Sequence, residues 1–193
     1  MKNLKLREYD KLIALIFALF TIIFLLLMIF SSEFFSWAFQ RHQNILSWYI
    51  RPLFLIPFCY FAYKRSWAGI SATIFFLLTS MFYFPEVEVA NPQSLQFLQM
   101  EMDYLTGGWT LSKILIALMV PVSFIALGAA FWKRNLLFGI MVIVLMALLK
   151  IIWSVAFGGE SGTSIIIPAL VGLTICVALI YYGFKRMETK KEK

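Results

Sequence analysis

The chain is poor in the residues from which most metal and redox sites are built. Its 193 residues include one histidine, His42, and two cysteines, Cys59 and Cys176, which lie far apart within apolar runs. A single histidine excludes a bis-imidazole haem site or a histidine-rich metal site within one chain, and the cysteine spacing offers no CxxC or zinc pattern. We therefore predict no metal and no cofactor, and we interpret both cysteines as small buried apolar residues.

Charge is also scarce. Asp, Glu, Lys and Arg make up 14% of the chain, against about 25% in soluble domains, and 62% of the residues are apolar. This composition indicates an integral membrane protein. The net charge of +7 does not indicate nucleic-acid binding, because the basic residues stand at the ends of apolar runs, where membrane topology requires them. We expect membrane lipids as partners and the plasma (inner) membrane of a prokaryote as the location.

Six apolar runs are long enough, or nearly long enough, to cross a bilayer, which takes about 20 residues of helix. They cover residues 12–30, 46–63, 67–84, 114–132, 136–157 and 165–184. The predicted fold is therefore all-α, a single membrane domain over 1–193 with six transmembrane helices. The run 46–63 is the weakest of the six, because its uninterrupted apolar part begins only after Arg51 and Pro52.

The charge distribution orients these helices. With the N-terminus inside, the inner segments hold 13 of the 17 basic residues, and the outer segments hold six of the ten acidic residues. This satisfies the positive-inside rule at every loop, and we predict that both termini are cytoplasmic. The inner basic residues are Lys2, Lys5, Arg7, Lys11, Lys64, Arg65, Lys133, Arg134, Lys185, Arg186, Lys190, Lys191 and Lys193.

Two of these basic pairs, Lys64-Arg65 and Lys133-Arg134, end descending helices and are followed by a Gly-Ile sequence a few residues later. A repeated hairpin is one interpretation of this similarity. The simpler interpretation is that any descending helix needs an inner basic pair, and we favour it.

Two short amphipathic helices are predicted on the outer side. Residues 33–44 place their apolar side chains along one helical stripe, which is typical of an interfacial helix. In the longest outer loop, Asn91-Pro92 predicts a helix start and Gly107-Gly108 predicts a stop, so we expect a helix over 92–106. This second helix is expected to lie on the outer surface, where a lid over the helix bundle is one role for it.

The candidate binding site consists of cations near the outer ends of the helices. Lys150 lies about 10 Å below the outer end of its helix, and Arg51 lies at a similar or shallower depth. A charge at such a depth is costly and usually faces a bundle interior or a wet cavity, with a partner. We predict an outward-facing polar recess lined by Arg51 and Lys150, with snorkelling to the interface as the alternative. The candidate ligand-binding residues are Arg51, Lys150, His42, Arg41, Glu101 and Asp103; the possible acidic partners of the cations are Glu86, Glu88, Glu101, Asp103 and Glu160.

Each of the other candidates also has a structural interpretation. Arg41 and Lys113 are typical of interfacial anchors. His42 is typical of a hydrogen-bonding residue in an interfacial loop. Glu101 and Asp103 are typical of a solvated helix face.

The sequence Gly-Glu-Ser-Gly occupies residues 159–162, just before the last apolar run. It resembles the GxSG motif of the rhomboid intramembrane serine proteases, which are also built on six helices. In that family a histidine on a later helix activates the serine, whereas the only histidine here, His42, precedes Ser161. A glycine-rich turn, with Ser161 or Thr163 capping the last helix, is the favoured interpretation.

Three functions stay open at this point. The favoured one is binding or translocation of an anionic or zwitterionic solute or lipid through the outer recess. The second is a non-catalytic subunit or assembly factor of a larger membrane complex. The third is a membrane enzyme, either a hydrolase using Ser161 with His42 or a lipid-modifying enzyme using His42 with Glu101 or Asp103.

Overall fold

The computed structural model describes residues 8–189, and within them all regular structure is helical, with no strand. Helix accounts for 86% of the structure, which confirms the all-α prediction. The chain falls into two compact units, Met1–Glu88 and Val89–Lys193. Six of the basic residues used to orient the helices lie outside the described residues: Lys2, Lys5, Arg7, Lys190, Lys191 and Lys193.

Within the described residues 10–88, the first unit contains five α-helices; one 3-10 turn joins the third to the fourth, and another extends the fifth. They are α1 (Asp10–Phe30), α2 (Ser32–His42), α3 (Leu46–Ile50), a 3-10 turn (Arg51–Phe54), α4 (Leu55–Lys64), and α5 (Trp67–Thr79) with its 3-10 extension (Ser80–Phe82). Helix α2 coincides with the amphipathic helix predicted over 33–44 to within two residues at its end.

Helices α1 and α5 run parallel and form the main helix pair of this unit. The Asp10 carboxylate caps the start of α5, because its oxygens accept hydrogen bonds from Ser66 Oγ at 2.6 Å and from the backbone N–H of Trp67 at 2.9 Å. At the other end, the rings of Phe24 and Phe82 are 5.6 Å apart. A carboxylate satisfies N–H groups that have no partner within the helix. Both helices therefore start at the same end of the unit.

The predicted run 46–63 is helical but interrupted. Pro52 lies in the 3-10 turn between α3 and α4, where its missing N–H and its ring prevent a regular α-helix. Helix α2 and the segment Leu46–Lys64 meet at 85°, the geometry of a broken span or a re-entrant loop. The weakest of the six runs thus contains a real break.

The described residues of the second unit, 89–189, contain four α-helices. They are α6 (Pro92–Thr106), α7 (Leu111–Trp132), α8 (Leu136–Gly158) and, after a 3-10 turn (Ser161–Ile165), α9 (Ile166–Thr189). Helix α6 begins and ends at the predicted residues. It begins at Pro92 because the Asn91 side chain accepts hydrogen bonds from the N–H groups of Gln93 and Ser94 at 2.9 and 3.3 Å, and it ends before Gly107. Helices α7, α8 and α9 bury a common apolar core that includes Phe131 and Phe184, whose rings are 4.9 Å apart.

Within residues 8–189, four helical segments are long and apolar enough to cross a membrane, and the bent pair of the first unit is a fifth candidate if it forms one span. The four are Asp10–Phe30, Leu111–Trp132, Leu136–Gly158 and Ser161–Met187. The third predicted run is realised as Trp67–Phe82, which is shorter than a standard span. The described residues therefore indicate a multi-pass membrane protein with four to five candidate spans.

Candidate functional site

The polar residues of the first unit are concentrated in a short connection, residues 41–51, between α2 and the 3-10 turn. The side chain of Asn44 caps the start of α3 by accepting a hydrogen bond from the backbone at 3.1 Å. The resulting tight turn brings two side chains of the next helical turns, Ser47 and Arg51, against the ring of His42.

His42 is only 6% exposed and is hydrogen-bonded at both ring nitrogens. Its Nδ1 lies 3.0 Å from Ser47 Oγ, and its Nε2 lies 3.1 Å from Nη1 of Arg51. A guanidinium group can only donate, so Nε2 must accept and the ring proton must sit on Nδ1, from which it is donated to Ser47. The contact therefore requires a neutral His42, and this neutral ring holds the guanidinium of Arg51 in position.

Arg41 closes the end of α5. Its Nη1 donates to the carbonyl oxygens of Phe82 at 3.2 Å and Phe84 at 3.3 Å, and its guanidinium lies 5.2 Å from the ring centre of Trp37. The last carbonyls of a helix lack partners within it, and a cation there also complements the helix dipole. Arg41 therefore has the kind of contacts that we expect of an anchor residue.

In the second unit, Lys150 forms an ion pair with Glu101. Nζ of Lys150 lies 2.7 Å from Oε1 of Glu101, and the side chains are 45% and 16% exposed. The ammonium group also lies 4.6 Å from the ring centre of Trp153 and 5.3 Å from that of Phe97, which adds cation–π attraction. Glu101 is one of the acidic partners predicted for Lys150, and the pair ties α6 to α8.

Two other charged residues near α6, Asp103 and Lys113, form hydrogen bonds with residues of α6 itself. Asp103 accepts a hydrogen bond from Gln99 of the same helix at 2.9 Å on an exposed face, which agrees with the solvated-face interpretation. Lys113 donates to the carbonyl oxygen of Tyr104 at 3.0 Å and lies 4.7 Å from its ring centre. Lys113 therefore closes the end of α6 much as Arg41 closes the end of α5.

The Gly-Glu-Ser-Gly sequence forms a turn after α8. Gly159 has a φ of 56°, and the hydroxyl of Ser161 donates to the carbonyl oxygen of Gly158 at 2.8 Å. A Cβ atom on Gly162 would collide with the carbonyl oxygen of Ser154, so the turn and α8 touch backbone to backbone. These features agree with the glycine-rich turn.

In this geometry, the accepting nitrogen of His42 is not directed at a serine. The second unit, which contains Ser161, has no histidine in its sequence. The accepting nitrogen of His42 is bonded to Arg51, so neither Ser161 nor Ser47 has an imidazole free to take its proton.

Arg51 and Lys150 belong to different units, and each has a partner of its own, so the recess expected between them stays a prediction. Two shallow hollows are present within the units: one on α1 around residues 23–31, and one at the tip of the α7–α8 hairpin. Neither is lined by Arg51 or Lys150.

Two residues of these contacts carry no sequence signal that singles them out. Ser47 is one of several serines next to aromatic residues, and its role depends on the turn after α2. In the sequence, Asp10 is one of several charged residues near the N-terminus. Its role depends on contact with a helix that starts 57 residues later.

No known protein family matches the chain, and no curated protein or solved structure is significantly similar to it.

Proposed function

We propose that the chain is a six-span protein of a prokaryotic plasma membrane, with both termini cytoplasmic, that binds or translocates an anionic or zwitterionic lipid headgroup or solute at its outer face. The topology rests on the parallel α1–α5 pair and on the charge distribution. The ligand rests on one observation, the contact of Arg51 with a neutral His42.

The sixth span in this proposal is α5 with its 3-10 extension. It starts beside the start of α1 and runs parallel to it, so a crossing by α1 carries α5 toward the same side. The chain between them then returns to the starting side through Leu46–Lys64. At roughly 1.5 Å per residue, Trp67–Phe82 reaches about 24 Å, short of a hydrocarbon core of about 30 Å. Local thinning of the bilayer and flanking aromatic residues accommodate a span of this length.

Arg51 is the residue that we assign to the anionic group of the ligand. Its planar guanidinium carries five N–H donors in a fork that matches a phosphate or a carboxylate. Because His42 is neutral, it orients the guanidinium without cancelling its charge at that contact. His42 is therefore a positioning residue, and Ser47 fixes its tautomer.

The ion pair of Lys150 and Glu101 has a different part in the proposal. It holds α6 against the last turns of α8, so α6 is a helix tied down by one charged contact. A ligand anion that replaced the Glu101 carboxylate at Lys150 would release α6. The pair thus supports the lid role predicted for residues 92–106.

Titration calorimetry of the full chain in a neutral detergent, with dihexanoyl phosphatidylglycerol as the probe, tests the ligand assignment. We expect Arg51→Gln to weaken binding about tenfold or more, because charge-assisted hydrogen bonds are lost. Arg51→Lys should recover only part of the affinity, since an ammonium group lacks the planar fork. The matched control is Arg41→Gln, which removes the same charge from a position bonded to carbonyl oxygens. Unchanged binding in Arg51→Gln, or an equal loss in the control, would refute the assignment.

A role as a subunit of a larger membrane complex is the second candidate. Only 6% of the apolar window of α1 is buried, and a hollow on this helix is lined by Ile23, Leu26, Leu27, Phe30 and Ser31. Such a face accepts a helix of another protein as readily as it accepts lipid. Purification in a mild detergent distinguishes the two: a second protein in constant ratio supports the subunit role, and the isolated chain counts against it.

A further inference from the structure

His42 is the only histidine of the chain, and imidazole is the side chain whose ordinary titration falls between about pH 5 and about pH 8. It ends α2 and precedes the apolar run predicted to span the membrane over 46–63. In the proposed topology it therefore lies in the outer connection, on the side where the pH is that of the surroundings. Proton uptake at this one ring would change the charge of a buried group.

The hydrogen bonds of the ring depend on that charge. Nε2 of His42 accepts from Arg51 at 3.1 Å, and a proton on Nε2 removes the lone pair that accepts. It also places a positive charge beside the guanidinium, and like charges repel strongly where water is excluded. The contact of Nδ1 with Ser47 Oγ is unaffected, since the hydroxyl accepts from Nδ1–H in both states. Protonation therefore breaks the contact with Arg51 and spares the contact with Ser47.

The charged groups around the ring favour its neutral form. Arg51 contacts it from the 3-10 turn. Arg41, the neighbour in sequence, directs its guanidinium to the carbonyl oxygens at the end of α5. The 3-10 extension of α5, which packs on α2, carries no charged residue. The acidic residues on α2 and in the loop after α5 are exposed, and water screens an exposed charge; they are Glu33, Glu86 and Glu88. The other side chains beside the ring are uncharged: Phe39, Ser47 and Trp48.

Arg51 stands where the helix is easiest to rearrange. It begins the 3-10 turn Arg51–Phe54, and Pro52 follows it. A 3-10 turn has poorer hydrogen-bond geometry than an α-helix, and within a helical segment it often marks a hinge. The side chain of Arg51 is half-buried, so its long stem lets a released guanidinium turn to water. The release of Arg51 therefore requires no large movement of the surrounding helices.

We propose that His42 is a proton switch for Arg51. The neutral ring holds the guanidinium in place, and acidification of the outer side releases it. In this step a proton from the outer water binds the lone pair of Nε2, and the hydrogen bond from Arg51 breaks. The consequence for binding rests on the proposed function: the anion site is competent while Arg51 is held, so acid weakens ligand binding.

Nuclear magnetic resonance of the full chain in a neutral detergent tests the switch. With ¹⁵N-histidine and a purification tag without histidine, the nitrogen signals come from His42 alone. At about pH 8 the proton should be on Nδ1, and Nε2 should gain a proton as the pH falls to about 5. Arg51→Gln removes the opposing charge and should move the midpoint of this titration about one unit higher. The matched control, Arg41→Gln, should move it much less, because that guanidinium is bonded to carbonyl oxygens.

Three results would overturn the proposal: a proton on Nε2 at about pH 8, no titration of the ring down to about pH 5, or equal midpoints in the parent and Arg51→Gln. Circular dichroism of each variant shows whether the helices are intact. If Arg51→Gln has lost helix content, Arg51→Met, which keeps the apolar stem, takes its place.

Titration calorimetry with dihexanoyl phosphatidylglycerol connects the switch to the ligand, since the phosphodiester of this probe keeps its charge over the same pH range. At the pH where nine-tenths of the rings are protonated, the affinity of the parent should be about tenfold lower, because only the remaining tenth holds Arg51. His42→Gln offers a neutral amide oxygen at every pH and should bind equally at both.

Tighter binding by the parent at acidic pH would overturn the switch, because the anion would then bridge the two cations. Absence of probe binding at every pH, with the midpoint shift of Arg51→Gln intact, would refute the proposed ligand and support the switch. The two failures are therefore distinguishable.

Discussion

The two units satisfy one cation in the same way and another in different ways. Arg41 in the first unit and Lys113 in the second both donate to a carbonyl oxygen at the end of a helix, whereas Arg51 and Lys150 differ in their partners. In the first unit, Arg41 donates to backbone carbonyl oxygens and Arg51 donates to a neutral imidazole. In the second unit, Lys150 pairs with the carboxylate of Glu101. The difference follows from position along the helix. Carbonyls without partners are available at helix ends, whereas Lys150 lies within α8, whose carbonyls are used by its own backbone, so the anion has to come from another helix.

A neutral acceptor orients a guanidinium and leaves its charge in place at that contact, which suits recognition of an external anion. A carboxylate neutralises its partner, which suits the attachment of one helix to another. We therefore associate Arg51 with the ligand and Lys150 with the position of α6.

The largest effect is expected where the second unit relies on backbone contact. Gly162→Ala places a Cβ against the carbonyl oxygen of Ser154, so α8 and the turn must move apart. We expect a loss of about 3 kcal/mol in the free energy of unfolding, measured by thermal unfolding in detergent. The matched control is Gly183→Ala, since no atom lies within 4 Å of a Cβ added there. Equal melting temperatures for the two variants would contradict the backbone contact.

A smaller effect is expected at the corresponding joint of the first unit. Asp10→Ala removes the carboxylate that accepts from the first N–H groups of α5 and should lower the unfolding free energy by about 1.5 kcal/mol. Amide hydrogen exchange should become faster at Trp67 and Ala68, because their N–H groups lose their acceptor. Glu8→Ala removes the same charge two residues away and should leave both amides protected. Faster exchange in both variants would attribute the effect to overall charge.

The ion pair of the second unit should contribute less than the cap. Glu101→Gln should lower the unfolding free energy by about 1 kcal/mol, since the pair is partly exposed, and should speed amide exchange along α6. A double-mutant cycle with Lys150→Met isolates the coupling between the two side chains. Asp103→Asn, on the exposed face of the same helix, is the control. A coupling free energy of zero would show that this ion pair does not hold α6 against α8.

The smallest effect is expected at the tips of the α4–α5 and α7–α8 hairpins, where Arg65 and Arg134 are left-handed, with φ of 57° and 60°. The effect should be equal at both tips. Arg65→Gly and Arg134→Gly relieve the left-handed conformation, which favours the folded state, but glycine also gains freedom in the unfolded chain. We expect a net stabilisation of about 0.5 kcal/mol for each variant. Opposite signs at the two tips, measured by the same unfolding experiment, would show that they are not equivalent.

Local chemistry made parts of this fold predictable. Helix α6 begins at Asn91-Pro92 and ends before Gly107 because capping depends on neighbouring residues, which the sequence displays directly. The pairing of Lys150 with an outer carboxylate was predictable in kind, since a cation within an apolar helix needs a partner. Which of five acidic residues it would be depends on how α6 crosses α8, and no local pattern encodes that crossing.

The contacts of the first unit were harder to predict from the sequence. Pro52 indicated a weak helix, but the bend after α2 that brings Arg51 to His42 depends on the backbone path through residues 43–50. The Asp10 cap joins residues at opposite ends of the unit. A repeated hairpin was one interpretation of the Lys-Arg pairs, though not the favoured one, and the shared left-handed conformation of Arg65 and Arg134 appears only in three dimensions.

Whether α5 crosses the membrane is tested most directly by cysteine accessibility. The experiment uses Glu88→Cys and Arg65→Cys, one at a time, with the buried native Cys59 and Cys176 replaced by alanine. A membrane-impermeant maleimide should label Glu88→Cys in intact cells and should label Arg65→Cys only after the membrane is permeabilised. Labelling of both positions from the same side would make α5 a re-entrant helix and would contradict the six-span topology.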